Sequence, residues 1–436
     1  MIFGTGLSGL KAASSDLAVV GNNIANSSTT GFKGSRALFA DVYANSFYNG
    51  SNSIGDGVSV AGIQQTFGQG NLSFTNNSLD MAINGSGFFI LHDNGSPVYT
   101  RAGAFGIDNK GFIVNNVQQR LQGLLADQNG NIGSIAGDLQ LQTGNISPKT
   151  TTSITAGLNL YANSTPPTVA WTGGATPASD TYNNVTSSTI YDSLGNSHVL
   201  SMYFIHADGT AAAGSPNASS PANTENQWYV AFQLDNQNVP ANVGATNSAN
   251  LFRANFSSDG SFVGVSDVTN TPLANKLIPL TMNLTNGANP LNFTVDLSES
   301  TQFGSPFAVQ SNTQDGYTTG QLNSVDIDQD GILFGRYTNG QSQKLGQIQL
   351  ANFTNLNGLQ PIGNTSWAET SASGQALIGN PGTASLGLVQ SGALEDSNVD
   401  LTGELVNLIT AQRYFQANAQ TIRAGDTITQ TIINIT

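Results

Sequence analysis

A chain of 436 residues exceeds what one ordinary hydrophobic core supports, and roughly two to four domains are expected. Only 9% of its residues are charged against a usual ~25%, and the formal charge of -14 comes with just 13 scattered Lys and Arg, which excludes a nucleic-acid role because counterion release needs clustered cations. The absence of cysteine excludes disulfides, thiolate metal sites and thiol nucleophiles, and suits a chain that crosses redox compartments unfolded.

Residues 1–26 read as one helix of roughly 35–40 Å. Its stripe of Phe3, Leu7, Leu10, Ser14, Leu17, Gly21 and Ile24 alternates steps of four and three, the spacing that keeps one seam facing a partner helix. The polar run from Asn26 to Gly31 ends it, because short polar side chains compete for backbone hydrogen bonds. Lys11 and Asp16 interrupt its apolar stretch and no basic leader precedes it, so it is not a secretory signal. No apolar run approaches the ~18–20 residues of a membrane span, so membrane insertion is not expected.

Residues 31–70 are mixed and turn-rich, with a short helix expected around Ser35 to Tyr43. From 71 to 148 the pattern changes to apolar runs of strand length, separated by turn signals at Asp93 to Gly95 and Asp108 to Gly111, the mark of antiparallel hairpins. Residues 149–300 are poorer in apolar residues but keep strand-like runs at 198–206, 226–234 and 291–297, and read as an inserted outer β domain. The stretch 301–370 returns to the tighter hairpin style. A second long helix begins near Ser397, which stands at capping-box spacing from Asp400, and runs for roughly 50–55 Å. Its stripe is Leu401, Leu405, Leu408, Gln412, Phe415, Ala419 and Ile422.

The expected fold is therefore mainly β with α-helical termini. The N- and C-terminal helices pair as a coiled coil over 1–70 and 371–436, which include an extended connector. Two nested β domains lie between them, an inner one from 71–148 and 301–370 and an outer one from 149–300.

Three motifs invite chemical readings. GTGLSG at Gly4 to Gly9 has the dinucleotide-binding pattern but lacks the preceding strand that delivers pyrophosphate to a helix N-terminus. Gly6 and Gly9 are read instead as small residues that permit close helix packing. DIDQDG at Asp326 to Gly331 resembles the start of a calcium loop, yet its twelfth position is Tyr337 rather than Glu. A turn between two strands is expected there, with weak calcium binding as the alternative. His92, His198 and His206 stand at neither metal nor triad spacing, and no nucleophile elbow, zincin motif or P-loop lysine occurs. No enzyme activity, metal or cofactor is expected.

Apolar residues also lie off the two stripes: Ile2, Val19, Val20, Val406, Ile409, Ile428, Ile432 and Ile433. A two-helix hairpin would leave these wet, and the middle of the chain offers no helix to cover them. Other copies of the chain are expected to do so.

The N-terminal segment, with Asn22, Asn23, Ile24, Ala25 and Asn26 followed by Thr30, Gly31, Phe32 and Lys33, resembles the start of the flagellar rod and hook protein family. The C-terminal segment from about Leu386 looks like the matching family tail, and LDMAINGSGFF with YTRAGAF is similar to the family's first β domain. The length and the inserted domain place the resemblance with the hook rather than the rod members. It implies a structural subunit of the bacterial flagellar hook, a curved tubular polymer that works as a universal joint between rod and filament outside the cell. It also implies terminal helices around a central channel, with Phe3, Leu7, Leu10, Leu17, Ile24, Leu401, Leu405, Leu408, Phe415 and Ile422 as assembly contacts. Expected partners are further copies of the chain, the flagellar rod protein, the hook cap protein, the hook-filament junction protein and the flagellar type III export apparatus. The alternatives are a distal rod or hook-filament junction subunit, or an exported β-rich adhesin, which would not need matched terminal heptads.

Overall fold

The computed structural model describes residues 2–42, 55–93, 95–127, 130–141, 144–169, 171, 176–206, 226–239, 251–267 and 271–435. The chain divides into two compact units, one of Met1–Thr143, Leu322–Arg336 and Gln341–Thr436, the other of Gly144–Gln321 and Tyr337–Gly340.

In the first unit two helices, α1 (Ile2–Ala25) and α2 (Leu401–Ile435), pack against each other. Asp400 starts α2, its Oδ1 accepting from the Thr402 N–H at 3.0 Å, so the helix begins one turn after Ser397. The helix expected at Ser35 to Tyr43 is instead the strand Ser35–Val42, paired antiparallel with Gly57–Gln65. Its pairing with a nine-residue partner strand supplies the hydrogen bonds that an isolated two-turn helix would lack; residue 43 lies outside the described residues. The unit's large sheet runs in the order Leu322–Ile327, Ile332–Tyr337, Ser342–Ile348, Arg120–Ala126, Phe88–Asp93, Ser96–Thr100, Ser366–Ala368, Gln360–Gly363.

The strand Phe88–Asp93 shows why its apolar run is continuous. Phe89 and Leu91 enter one hydrophobic cluster, with Met81, Ile113, Leu121 and Ile348, while Phe88 and Ile90 enter another, with Tyr99, Phe353 and Trp367. Period two sends alternate residues to opposite faces, and both faces are dry. Residues 371–395 are also part of this β structure rather than a connector: Leu377–Gly379, Leu388–Ser391 and Ala393–Glu395 pair with Leu350–Asn352, Met81–Asn84 and Leu72–Phe74.

The second unit contains a five-stranded and a six-stranded sheet that share one core. Leu200, Met202 and Phe204 face Trp228, Val230 and Phe232 in it, together with Ile154, Leu158, Leu280 and Phe293 from the other sheet. On the opposite face Tyr229 and Ala231 are closed over by Trp171. Thr301–Phe303 and Ala308–Gln314, expected to return to the first β region, both pair with Ser153–Tyr161 and so complete this unit.

One device closes hairpins throughout. Asp108, Asp127, Asp192 and Asp328 each accept, through Oδ1, the backbone N–H four residues on, at 2.8–2.9 Å. The residue before that N–H is Gly111, Gly130, Gly195 or Gly331, all with φ between 72° and 87°. The calcium-like segment is thus one instance of a repeated D-x-x-G turn. Its first carboxylate, Asp326, is held by Arg336 rather than aimed into the turn.

His198 ties three segments of the second unit together. Its Nδ1 meets Asp235 at 2.6 Å and its Nε2 meets Asp192 at 3.3 Å. Burial pulls the imidazolium down, but the hydrogen bonds to Asp235 and Asp192 outweigh it and hold the pKa above its ordinary value of 6.5. Asp315 is the opposite case: burial pushes it up, but donors from Thr152, Ser153 and Lys149 bring it down to about 2. A raised histidine contributes stability fully present below pH 6.5 and lost as pH rises through its folded pKa, whereas a depressed aspartate's contribution is lost from pH ~4 downward. Thermal unfolding followed by tryptophan fluorescence should therefore show a plateau between these limits and a fall above neutrality. His198→Gln should flatten the alkaline side while the part of the acid-side loss that comes from Asp315 remains.

Candidate assembly surface

The contact between α1 and α2 is antiparallel and made of small residues. A Cβ on Gly6 would lie 2.9 Å from Cγ1 of Ile422, and one on Gly9 would lie 2.4 Å from Oδ1 of Asn418. At the other end the Asn23 side chain donates to Oε1 of Glu404 at 3.2 Å. The buried line of α1 is Gly6, Ala13, Val20 and Asn23, flanked by Ala12 and Val19, and that of α2 runs through Leu408, Ala411, Phe415, Asn418, Ile422 and Gly425. The sequence stripes coincide with this contact only in part. Leu408, Phe415 and Ile422 lie in it, half-buried, whereas Phe3, Leu7, Leu401 and Leu405 are exposed and Leu10, Leu17 and Ile24 are half-buried beside it. The physical reason is that glycine and alanine let the helices approach more closely than leucine would, so the seam sits one residue away from the leucine stripe.

What remains outside is a surface of large apolar side chains. Phe3, Leu7, Leu401, Leu405, Val406, Ile409, Tyr414, Ile428 and Ile433 are all between 45% and 65% exposed. Both helices thus keep large apolar side chains in contact with water along their length. Among the described residues, the apolar side chains that the helices bury are Ala12, Ala13, Val19, Val20 and Ala411. At about 0.8 kcal/mol per buried CH2, so few methyl groups stabilise the helices weakly.

Both helices are fastened to the β structure by a buried charge cluster that periodicity could not reveal. Glu395 Oε1 accepts from Lys33 Nζ at 2.5 Å and from the Gly70 N–H at 2.9 Å, and its Oε2 accepts from Arg101 Nη1 at 3.2 Å. Neither the Lys33 nor the Glu395 side chain has any exposed surface. Lys33 also donates to the Gly68 carbonyl at 2.8 Å, and Arg101 donates to the Gly85 carbonyl at 2.9 Å and stacks over Phe88. Burial pulls the Lys33 ammonium below its ordinary value, against the opposing pull of Glu395.

The rest of the Asn22 to Lys33 signature surrounds this cluster. The Asn23 amide both donates to the Ser35 carbonyl at 2.7 Å and accepts its N–H at 2.9 Å, pinning the strand that follows the helix. Asn26 Nδ2 caps the Asn22 carbonyl, and its Oδ1 accepts from Thr29. Gly31 has φ of 69°, and a Cβ there would meet Ala102 N at 2.5 Å. Asn398, just before α2, accepts from the Gly34 N–H at 2.8 Å and donates to the Thr66 and Gly68 carbonyls. Polar side chains thus hold the helix ends where apolar packing is thin. Among the described residues no group of His, Asp and Glu is placed to hold a metal ion.

Comparison with known proteins adds the family context. Residues 3–33 match the flagella basal body rod protein family, 82–157 the flagellar hook protein FlgE/F/G D1 domain, 159–317 the flagellar basal body protein FlaE D2 domain, and 390–435 the flagellar basal body rod FlgEFG protein C-terminal domain. The chain is 38% identical to the flagellar hook protein FlgE of Escherichia coli over 440 residues, covering 100% of both. It is 33% identical to the one from Treponema pallidum, covering 99% of this chain and 98% of the other. The crystal structure of the Helicobacter pylori flagellar hook protein FlgE2 superposes with a TM-score of 0.52 at 15% identity, covering 74% of this chain and 100% of that one, a likeness of fold.

Removing the one anion of the charge cluster leaves two buried cations facing each other. Glu395→Gln should lower the stability of the first unit by about 3–5 kcal/mol, the usual loss when one partner of a buried pair is removed. Urea unfolding of the full chain measures it. A change under ~1 kcal/mol would show that the cluster is solvated in solution.

Proposed function

This chain belongs to the flagellar hook protein family and is a structural subunit of the hook attached to the basal body, and we propose that it builds the hook wall by pairing α1 and α2 as a coiled coil and packing that pair against the pairs of neighbouring copies. The observation that carries this reading is the exposed apolar surface on both helices, since nothing else among the described residues of the chain covers it. Leu10, Leu17 and Ile24 complete the α1 side of that surface, and Leu408, Phe415 and Ile422 hold the pair together from within. A tube needs heterologous contacts that do not close on themselves, and two different helices presenting different apolar faces supply them.

On this reading residues up to about 70 and the C-terminal segment containing α2 form the helical core. The β structure between 71 and 143, completed by 322–395, forms the inner domain, and Gly144–Gln321 forms the outer one. The outer unit is rich in uncharged Asn, Ser and Thr, which suits contacts that slide as a rotating joint bends, because few charges would be left buried and unpaired between copies. The work is mechanical and no catalytic step is assigned. The rod protein, the hook cap, the hook-filament junction protein and the export apparatus are the proposed partners.

Leu405→Asp tests the core reading. Leu405 is 45% exposed in the single chain, so the substitution should leave monomer melting within a degree or two of the parent. Placing a carboxylate in an apolar interface costs several kcal/mol per contact, so hooks should not assemble. Hooks of normal length seen by electron microscopy would sink the proposal. Thin packing also makes the helices conditional: ordering a backbone residue costs about 1–2 kcal/mol, which five small buried side chains offset poorly. Limited proteolysis of dilute monomer should cut on the helix side of Lys33 and of Glu395 and spare the β units. Equal protection of helices and sheets would refute this.

A further inference from the structure

The two terminal helices are unequal. α1 has 24 residues and α2 has 35. With Gly6 against Ile422 and Gly9 against Asn418, the antiparallel register brings the start of α1 level with Asp426. Among the α2 residues whose burial is described, Gly425 is the last buried one. About ten residues beyond it, ~15 Å of helix, have no helix of the same chain beside them. The sequence places isoleucine there at 428, 432 and 435, the i, i+4, i+7 spacing of a helix that seats one face in a groove. Ile428 is 53% exposed.

The same chain carries a groove of matching length. Between α1 and the strand Gly57–Gln65 lies an open cavity of about 480 Å³ lined by Leu7, Lys11, Ser15, Val58 and Val60. It follows α1 from Gly4 to Ser15, ~17 Å. Its floor is set by Ser8, whose hydroxyl accepts from the Val58 N–H at 3.3 Å. Gly57 makes that approach feasible, since a Cβ there would lie 2.1 Å from Ser8 Oγ. Leu7 and Val60 leave 48% and 40% of their surface exposed along it.

A chain cannot fill its own groove. Gly4, Ser8, Lys11 and Ser15 lie on the face of α1 away from Gly6, Gly9, Ala13 and Val20, which face α2. The overhang continues straight past the N-terminus of α1. Its apolar stripe and the groove, where Leu7, Ala12, Val58 and Val60 alternate with Lys11 and serines, are different patches on one molecule, so their union is heterologous and repeats from copy to copy without closing. We infer that residues 426–435 of one copy seat in the groove between α1 and Gly57–Gln65 of the next, linking successive subunits along the direction of the helices. This deepens the helical-core proposal and rests on it.

The absence of cysteine makes the test clean. Ile428→Cys is combined in turn with Leu7→Cys, Lys11→Cys or Val60→Cys, and each double variant is assembled with no more than an equal share of wild-type chain, so that assembly is supported while variant copies still meet one another. The expected result, after mild oxidation of hooks, is a disulfide-linked dimer from at least one pair and none from the dilute monomer. Within one chain, Ile428 and Leu7 are separated by roughly 10 Å along the axis alone, beyond the ~7 Å limit between bridged Cα atoms. In parallel, Ile428→Cys alone should react with maleimide in the monomer and be at least tenfold slower in hooks. Hooks that form, give no cross-link with any pair and leave the cysteine at position 428 fully reactive would overturn the inference while leaving the helical core intact. Protection without cross-linking would also overturn it, placing the overhang against another surface. Failure of the core proposal reads separately, as normal hooks from Leu405→Asp.

Discussion

A single buried carboxylate organises the first unit. Glu395 holds together a lysine 362 residues away in the chain and an arginine 294 residues away, and its backbone carbonyl also takes the Gly31 N–H at 2.7 Å. Two cations against one anion in a dry site is tolerable only because the carbonyls of Gly68 and Gly85 and the ring of Phe88 share the excess positive charge. Apolar contact would stabilise the junction as well but would allow several registers. Directional hydrogen bonds allow one. The departure of both helices from the β structure is fixed at this point, and the cluster thereby sets the geometry with which each subunit presents its helices.

Beyond the cluster the balance of forces reverses. The helices are joined through glycine, alanine and valine of α1 against half-buried Leu408, Phe415 and Ile422 of α2, while Phe3, Leu7, Leu401, Leu405, Val406 and Ile409 face outward. Such a pair is close-fitting but weakly stabilised within one chain, and most of the apolar area available to it can be buried only between chains. On the proposed assembly, folding and association are coupled at the ends of the molecule, while the β units, with Trp228, Phe232 and Phe252 fully enclosed in one and Phe88, Phe89 and Tyr99 in the other, complete their cores alone.

How much of this could be read from the sequence depended on how local the signal was. The two long helices, the hairpins between 71 and 148 and the strands of the inserted region all follow from periodicity and turn residues within short windows. The helix seam was displaced because periodicity marks the greasiest stripe, whereas closest approach selects the smallest side chains, and here Gly6 and Gly9 lie beside rather than on the Phe3, Leu7, Leu10 line. The strand Ser35–Val42 reads locally as a helix because its partner Gly57–Gln65 lies beyond a turn-rich stretch. The strands at Thr301–Phe303 and Ala308–Gln314 resemble the first β region locally, because pairing partners about 150 residues distant leave no trace in local composition. Lys33 stood out as part of a signature, but Glu395 and Arg101 did not. A lone charged residue in a strand-like run, as in the ALE of 393–395, is the only local hint that it is buried and paired.

The D-x-x-G turns have a consequence for how the molecule comes into being. Each is specified by a carboxylate and a glycine within five residues, so each hairpin can form on its own as soon as that short stretch is free, with little loop-closure entropy to overcome. The bond between Lys33 and Glu395 closes a loop spanning most of the chain and is disfavoured until the hairpins between have shortened that distance. Synthesis or export from either end would then give the same order of events: many independent local nuclei first, and one long-range clasp last, which registers that everything between has folded.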